Sequence, residues 1–181
     1  TVVAADEQPR TARPDKIPTL KPALRKDGTV TPANASSISD GAAALVLMRE
    51  SHAKAAGLPV RARLLAHGSH AQAPGWFTTA PVPAIQKVLD RVGWQVGDVD
   101  LWEINEAFAV VPMAAERELG LEREKLNVNG GACALGHPIG ASGARIIVTL
   151  LHAMEAADVT KGIASLCIGG GEGTAVALER V

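Results

Sequence analysis

A glycine-rich segment around a single histidine constrains this chain more than any other part of its sequence. Residues Asn127–Arg145 read NVNGGACALGHPIGASGAR and hold five glycines around the His137-Pro138 pair. Glycine adopts positive φ readily and lets the backbone approach a ligand closely, so this spacing predicts a tight loop that faces a ligand. The proline disfavours helical geometry at His137, whereas the apolar spacing over Ala141–Met154 predicts a largely buried helix. The alternative is a turn whose histidine only satisfies nearby backbone groups.

The composition indicates a globular chain and excludes several classes of protein. Of the 181 residues, 47% are hydrophobic and 20% are charged, which is typical of a globular domain rather than a disordered segment. The formal net charge of −1 offers no field that would attract nucleic acid, and no apolar run reaches membrane-spanning length. Two cysteines do not make a disulfide framework, so we expect a reducing compartment and a cytoplasmic location. Because the chain begins at Thr1 without a methionine, we expect further sequence upstream.

Short apolar runs alternate with amphipathic segments along the chain. Strands are predicted at Ala42–Met48, Arg61–Ala66, Val99–Ile104, Leu126–Val128, Ile163–Ile168 and Thr174–Leu178. Helices are predicted from Ser51 to Gly57, over Pro81–Val92, from Asn105 to about Leu119 and from about Ala141 to Met154. The first segment, Thr1–Thr31, holds four prolines and is predicted to be extended and outside the core. The alternation predicts an α/β layered fold with a mixed, mostly parallel sheet that finishes in an antiparallel hairpin.

Three polar side chains follow three of the predicted strands. Asn105 follows Val99–Ile104, His137 follows the strand at Leu126, and Cys167 lies at the end of Ile163–Ile168, a strand that three glycines follow. In open α/β sheets, ligands bind beyond the carboxyl ends of the strands, so we expect these side chains to form one site. The two cysteines and five histidines show no pairing at metal-ligand spacing, so no metal is expected. Alternatively, Cys167 is only a small hydrophobic residue buried in the core, which is common for a free cysteine.

The segments that carry these side chains resemble the sequence signatures of a known family. Asn105–Phe108 (NEAF), Asn127–Arg145 and Cys167–Gly171 (CIGGG) resemble the three C-terminal signatures of thiolases, in the same order and with matching separations. Gly41–Met48 and Asn34–Ser36 resemble a further thiolase segment, and the likeness extends over nearly the whole chain. The chain is therefore similar to acetyl-CoA acetyltransferases and 3-ketoacyl-CoA thiolases. This resemblance implies a thiolase-like layered fold with helices on both faces of the sheet.

The resemblance also implies an activity and a role for five residues. The activity is Claisen condensation of acetyl-CoA or thiolytic cleavage of a 3-ketoacyl-CoA. His137 would activate the nucleophilic cysteine and help to bind a thioester oxygen, and Cys167 would be the acid/base at the α-carbon. Asn105 would hold a water in an oxyanion hole with the histidine, and the Gly169 N–H would contribute to a second hole. Ser36 would contact the pantetheine of CoA.

The chain departs from the thiolase pattern in two places. The nucleophilic cysteine of thiolases lies in an N-terminal half that is expected to be missing here, because Cys133 is not in its motif. The second departure is Trp76–Ala80, which stands where Met-Gly-x-Gly is common in the family. That loop borders the acyl and pantetheine pocket in thiolases, so the length of the acyl chain is left open.

The resemblance implies a division of the chain and a set of partners. Residues 1–38 would be the tail of a CoA-binding loop region, residues 39–59 the last strand and helix of the N-terminal domain, and residues 60–181 the C-terminal domain. The implied partners are acyl-CoA and CoA, the missing N-terminal half and further copies in a homo-oligomer, with neither nucleic acid nor a membrane. A CoA thioester would be the substrate, and no permanently bound cofactor is expected.

Two other functions stay open at this point. One is a non-catalytic CoA-binding or assembly module, which the absent nucleophile favours for this chain alone. The other is a condensing enzyme of the ketoacyl-synthase type, although such enzymes use a histidine or an asparagine where this chain has Cys167.

Overall fold

A four-stranded mixed sheet forms the centre of the molecule. The structure, a computed structural model, describes residue 2 and residues 4–181. The strands are β1 (Ala62–Ala71), β2 (Leu101–Ile104), β3 (Lys161–Ile168) and β4 (Glu172–Arg180). They lie in the order β1-β4-β3-β2; β2 and β3 pair in parallel, whereas β4 is antiparallel to both neighbours. The predicted α/β class, the mixed sheet and the closing hairpin are confirmed, but only one of these three pairings is parallel.

Helices cover both faces of this sheet, as predicted. The helices are α1 (Gln8–Thr11), α2 (Glu50–Ala55), α3 (Pro81–Val92), α4 (Val110–Leu119), α5 (Ala132–Leu135) and α6 (Ser142–Ala157). One core, under α3 and α4, includes Ile85, Val88, Trp102, Ile104, Val111 and Ile163. A second core, under α6, includes Leu101, Ile146, Leu150, Met154, Ala164 and Leu178. Neighbouring residues of one strand enter opposite cores because strand side chains alternate between the faces of a sheet.

The longer helices end where the glycine and apolar patterns predict. Gly93 and Gly120 follow α3 and α4 with φ of 70°, the left-handed conformation that glycine adopts without steric cost. Helix α6 runs slightly beyond the predicted Met154, and Asp158 takes the left-handed position there. No helix within residue 2 and residues 4–181 is both long enough and apolar enough to cross a membrane.

The segment Ala42–Met48 is not a buried strand, so that prediction is wrong for this chain. It has no regular secondary structure, and Val46 and Leu47 are 88% and 71% exposed. Leu45 alone of its large side chains packs against the core under α6. A strand forms only where a neighbouring strand supplies hydrogen-bond partners, and within the described residues none lies beside this segment.

Three further boundaries differ from the predictions. Helix α4 begins at Val110 rather than Asn105. The residues between these two positions are not helical because they pair with the segment around Ala35, which forms a bridge with Phe108. The predicted strand at Leu126–Val128 is a single bridge between Leu126 and Trp102. The described residues among the first 31 lie outside the core as expected, but they contain α1 and a 3₁₀ helix at Pro14–Thr19. Thr1 and Val3 lie outside the described residues.

Candidate active site

Asn105 continues the line of β2 beyond its last strand residue. Its backbone N–H donates to the Ser165 carbonyl at 2.9 Å, which extends the parallel pairing of Ile104 with Ser165. The side chain is 1% exposed. This register brings Asn105 to the same carboxyl edge of the sheet as Cys167, two residues beyond Ser165 on β3. Asn105 and Cys167 therefore lie at the same edge of the sheet, and their membership of one site stays a prediction.

His137 reaches the same edge because the glycine loop is held to the segment before Ala42. Its N–H donates to the Ser37 carbonyl at 2.9 Å, and it forms a parallel bridge with Ile38. Gly136 has φ of 89° and lies against the Ser39 side chain, so a Cβ at this position would collide with Ser39. The glycine before the histidine is thus required both by its backbone conformation and by this close approach. Residues 37–39 contribute to the site by positioning His137.

The side-chain contacts of His137 define which ring nitrogen carries the proton. Nδ1 lies 2.6 Å from Ser142 Oγ, and that hydroxyl donates to the Pro138 carbonyl at 3.0 Å. With the hydroxyl hydrogen on the Pro138 carbonyl, the hydroxyl oxygen accepts from Nδ1–H and Nε2 is the acceptor nitrogen. Nε2 lies 3.4 Å from Asn105 Nδ2. Asn105 and His137 are thus in contact, with the amide NH₂ directed at the unprotonated nitrogen.

Burial and charge keep the imidazole neutral. The pKa of His137 is lowered from its ordinary value, first by burial and second by the Arg145 guanidinium. Arg145 also donates through Nη2 to Asn105 Oδ1 at 3.3 Å. Our sequence reasoning did not assign roles to Arg145 or Ser142, although both lie in the glycine-rich segment. Their spacing from His137 and their place in the first two turns of α6 were the available signals.

Cys167 is buried at the end of β3, on the face covered by α3 and α4. It is 6% exposed and pairs with Gly173 across the hairpin. Burial raises the pKa of its thiol to about 11. In the part of the chain that the structure describes, no hydrogen bond joins this thiol to Asn105 or His137. Gly169 follows in the exposed turn between β3 and β4.

Ser36 anchors its own segment to the loop that follows Asn105. Its hydroxyl donates to the Ala107 carbonyl at 2.8 Å, and its N–H donates to the same oxygen at 3.1 Å. The side chain is half-buried. The hydroxyl already has an acceptor, so contact with a ligand would use its oxygen as an acceptor or replace this bond.

Cys133 contacts Glu106 rather than His137, and this contact holds the glycine loop in place. Its N–H donates to Glu106 Oε2 at 3.1 Å. Burial, reinforced by the negative charge of Glu106, raises the pKa of the Cys133 thiol to about 12. Gly131 lies against the same carboxylate, where a Cβ would collide with it. Glu106 was missed as a functional residue, although it stands next to Asn105 in the sequence.

The loop that departs from the thiolase pattern lies beside the Asn105 loop. Residues Pro74–Thr79 form a 3₁₀ helix, and Phe77 meets Phe108 edge-on with ring centroids 6.2 Å apart. Trp76 is 67% exposed. The exposed indole of Trp76 therefore belongs to the loop that packs against Phe108.

Two open clefts adjoin these loops, and neither has the donor set of a metal site. One, of about 450 Å³, lies between residues 39–43 and residues 138–141. The other, of about 590 Å³, is bordered by His70, Lys87, Ile168 and Glu172. Across the described ranges, no three His, Cys, Asp or Glu side chains are grouped so that they could hold a metal ion.

The raised thiol pKa of Cys167 predicts slow alkylation in the folded chain. A thiol with its pKa raised from about 9 to about 11 has a roughly 100-fold smaller thiolate fraction at pH 8, and the thiolate is the nucleophile. We expect iodoacetamide to modify Cys167 at least about 100-fold more slowly in the folded than in the urea-unfolded chain. The rate should rise about tenfold per pH unit until the pH reaches the raised pKa. Peptide mass spectrometry reads each cysteine separately, and equal folded and unfolded rates at pH 8 would contradict the prediction.

Known proteins match this chain over nearly its whole length. The family model of the thiolase C-terminal domain matches residues 58–180, and that of the thiolase N-terminal domain matches residues 1–51. An acetyl-CoA acetyltransferase of Escherichia coli is 55% identical over 99% of this chain and 46% of its own length. The division predicted at residues 38 and 59 stays a prediction.

Solved structures give the same result. The acetyl-CoA acetyltransferase of Bacillus anthracis superposes with a TM-score of 0.96 at 49% identity, over 100% of this chain and 46% of that one. The Acat5 thiolase of Ascaris suum, solved in complex with coenzyme A, has a TM-score of 0.89 at 38% identity, over 99% and 47%. The chain spans less than half the length of the relatives it matches. The sequence match and the shared fold together show that this chain belongs to the thiolase family.

Proposed function

We propose that this chain supplies the C-terminal part of an acyl-CoA C-acyltransferase. The reaction is Claisen condensation of two acetyl-CoA molecules or, in reverse, thiolytic cleavage of a 3-ketoacyl-CoA. The single observation that carries the proposal is the contact between Asn105 and a neutral His137, 3.4 Å apart at the edge of the sheet where β3 delivers Cys167. The names of the Escherichia coli and Bacillus anthracis relatives support the same reaction.

His137 is suited to the first half-reaction, the transfer of an acyl group to the enzyme. Its unprotonated Nε2 takes the proton from a nucleophilic cysteine thiol, and the thiolate sulfur then forms a bond with the thioester carbonyl carbon. The C–S bond to CoA breaks, and the CoA thiolate recovers a proton from the imidazolium. Asn105 holds a water that, with the histidine, stabilises the charge on the thioester oxygen. The Nδ1–H bond to Ser142 keeps the ring in the tautomer that this step needs.

Cys167 is suited to the second half-reaction, at the α-carbon. In condensation the Cys167 thiol first gives its proton to a base, and its thiolate then removes the α-proton of a second acetyl-CoA. The enolate carbon attacks the acyl-enzyme, and the released cysteine thiolate recovers the first proton. In cleavage the thiol returns that proton to the carbon, which fits a thiol whose pKa is raised to about 11 and is protonated at rest. The Gly169 N–H stabilises the enolate oxygen, because charge stabilisation dominates the barrier to removing a proton beside a thioester.

CoA recognition would involve the N-terminal segment of this chain. The Ascaris suum thiolase was solved with coenzyme A, which supports CoA thioesters as substrates here. Ser36 is proposed to contact the pantetheine. Its hydroxyl either gives up its hydrogen bond to the Ala107 carbonyl or keeps it and accepts a hydrogen bond from the ligand. No permanently bound cofactor is required by the steps above.

The nucleophilic cysteine is proposed to lie in an N-terminal half that completes the enzyme. The relatives are more than twice as long as this chain, and Ala42–Met48 is an extended apolar segment with 88% of Val46 exposed. Such a segment suits pairing with strands of the missing half, or with another copy if those strands are absent. We also propose a homo-oligomer in the cytoplasm, with residues 1–38 as loop region and 39–59 as the end of the N-terminal domain.

The proposal is tested with acetoacetyl-CoA and CoA. We expect the protein encoded by the complete reading frame to produce two acetyl-CoA per acetoacetyl-CoA, and the 181-residue chain alone to produce none. Mass spectrometry after incubation with acetyl-CoA should find no adduct on this chain, because the pKa of Cys133 is raised to about 12. Turnover by the chain alone, or a stable acetyl group on Cys133, would contradict it. CoA binding without turnover by the complete protein would favour the non-catalytic module.

A further inference from the structure

We propose that Arg145 is a positioning residue, which fixes the orientation of the Asn105 amide and so holds His137 with Nε2 as the acceptor nitrogen. Arg145 lies on the second turn of α6 and its side chain is 18% exposed. Its Nη2 donates to Asn105 Oδ1 at 3.3 Å, and Asn105 Nδ2 lies 3.4 Å from His137 Nε2. The three side chains therefore form a row from α6, across the end of β2, to the glycine loop.

The chemistry of the guanidinium gives this row one direction. An arginine side chain has donors and no acceptor, so the amide group facing it must be the oxygen of Asn105. The amide NH₂ is then turned toward His137, and an NH₂ group can only donate to a nitrogen that carries no proton. The Ser142 contact at Nδ1 requires the same tautomer from the other side of the ring. The contacts at Nδ1 and at Nε2 therefore favour the same tautomer of His137.

Arg145 has a buried carboxyl group beside it, Glu103, whose pKa is raised to about 7 by burial. Glu103 on β2 is 2% exposed, and its Oε2 lies 3.6 Å from Arg145 Nη1. Glu106, in the loop that follows β2, is a second carboxylate, and its negative charge also raises the pKa of Glu103. Among described side chains, Arg145 is the charged group that acts on His137, and its charge disfavours the imidazolium. The guanidinium therefore acts twice, through the amide that it orients and through its own field.

The inference deepens the proposed function, because it concerns the same histidine, but it is tested without turnover. Long-range ¹H–¹⁵N spectra of the ¹⁵N-histidine-labelled complete protein report the tautomer and the pKa of His137 directly. In the unaltered chain we expect the Nδ1–H tautomer. In Arg145→Met the pKa of His137 should rise by about half a pH unit or more, since a positive charge has been removed. Arg145→Lys keeps the charge and should hold the pKa within about 0.3 of the unaltered value.

A second variant tests the amide through the site of protonation. Asn105→Asp keeps an acceptor for Arg145 but cannot donate to Nε2, so Nε2 should carry a proton; the added carboxylate raises the pKa of His137 in any case, so the protonation of Nε2 is the readout. Arg123→Met is the matched control, because it removes a guanidinium from an exposed ion pair with Glu116 and should leave His137 unchanged.

The outcomes distinguish this inference from the proposed function. A rise in the His137 pKa in Arg145→Met no larger than in Arg123→Met, or an Nε2 that stays unprotonated in Asn105→Asp, overturns the inference. If Arg145→Met does not fold, Arg145→Lys and Asn105→Asp decide by the same criteria. If the variants shift the pKa and the tautomer of His137 as predicted, and the complete protein has no thiolase activity, the inference is upheld and the proposed function is refuted.

Discussion

In the enzyme completed by its N-terminal part, Cys167→Ala is expected to abolish condensation while part of the acyl transfer remains. The variant removes the sulfur that takes the α-proton, and it leaves the Asn105–His137 contact in place. We expect the condensation rate to fall by about 10⁴-fold or more, the upper end of a general acid–base contribution. Acylation of the nucleophilic cysteine should stay measurable because it depends on His137. Steady-state assays report condensation, and mass spectrometry reports the acyl-enzyme.

The control for this experiment is Cys133→Ala. Cys133 is the second thiol of the chain, and its contacts are with Glu106 rather than with His137. We expect condensation to stay within a fewfold of the unaltered enzyme. Loss of acylation with intact condensation in Cys167→Ala would assign the two half-reactions the wrong way round.

The second large effect is expected at the histidine. His137→Ala removes the acceptor nitrogen that draws the proton from the nucleophilic cysteine, so acylation itself should slow by about 10²–10⁴-fold. The initial burst of free CoA on rapid mixing with acetyl-CoA measures this step. Because the pKa of His137 is lowered, the neutral base persists below the ordinary histidine pKa. The burst rate of the unaltered enzyme should therefore decline only below about pH 6.5.

The matched control here is His52→Ala, which alters an exposed histidine on the short helix α2. It should leave the burst unchanged. A burst of unaltered rate in His137→Ala would leave that histidine with a structural role only. An acid limb well above pH 6.5 would show that the imidazole is not kept neutral by burial and Arg145.

Local sequence patterns determined the elements that depend on neighbouring residues. Helix α3 ends at Val92 because Gly93 takes a left-handed conformation next in the chain, and α6 follows the apolar spacing read from the sequence. The hairpin of β3 and β4 was predictable because its strands are joined by a short glycine turn. Asn105, His137 and Cys167 were recognisable as candidates because an amide, an imidazole and a thiol can be read from the sequence, whereas their pKa values depend on burial in the fold.

The tertiary structure decided what depends on distant partners. Ala42–Met48 has the composition of a strand, yet it has no regular secondary structure and exposes Val46 and Leu47, because strand formation needs a second backbone beside it. The start of α4 moved to Val110 because Asn34–Ser36, about 70 residues earlier, pairs with the loop after Asn105.

The same distinction holds within the candidate site. The sequence by itself determined that His137 stands on a rigid glycine turn before a buried helix, since proline and glycine act on their own backbone. Only the tertiary structure decided which nitrogen of His137 accepts, because Ser142, Asn105 and Arg145 reach the ring from two elements. A tautomer is set by the donors and acceptors that surround it in space, and those positions exist only once β2, the glycine loop and α6 are packed together.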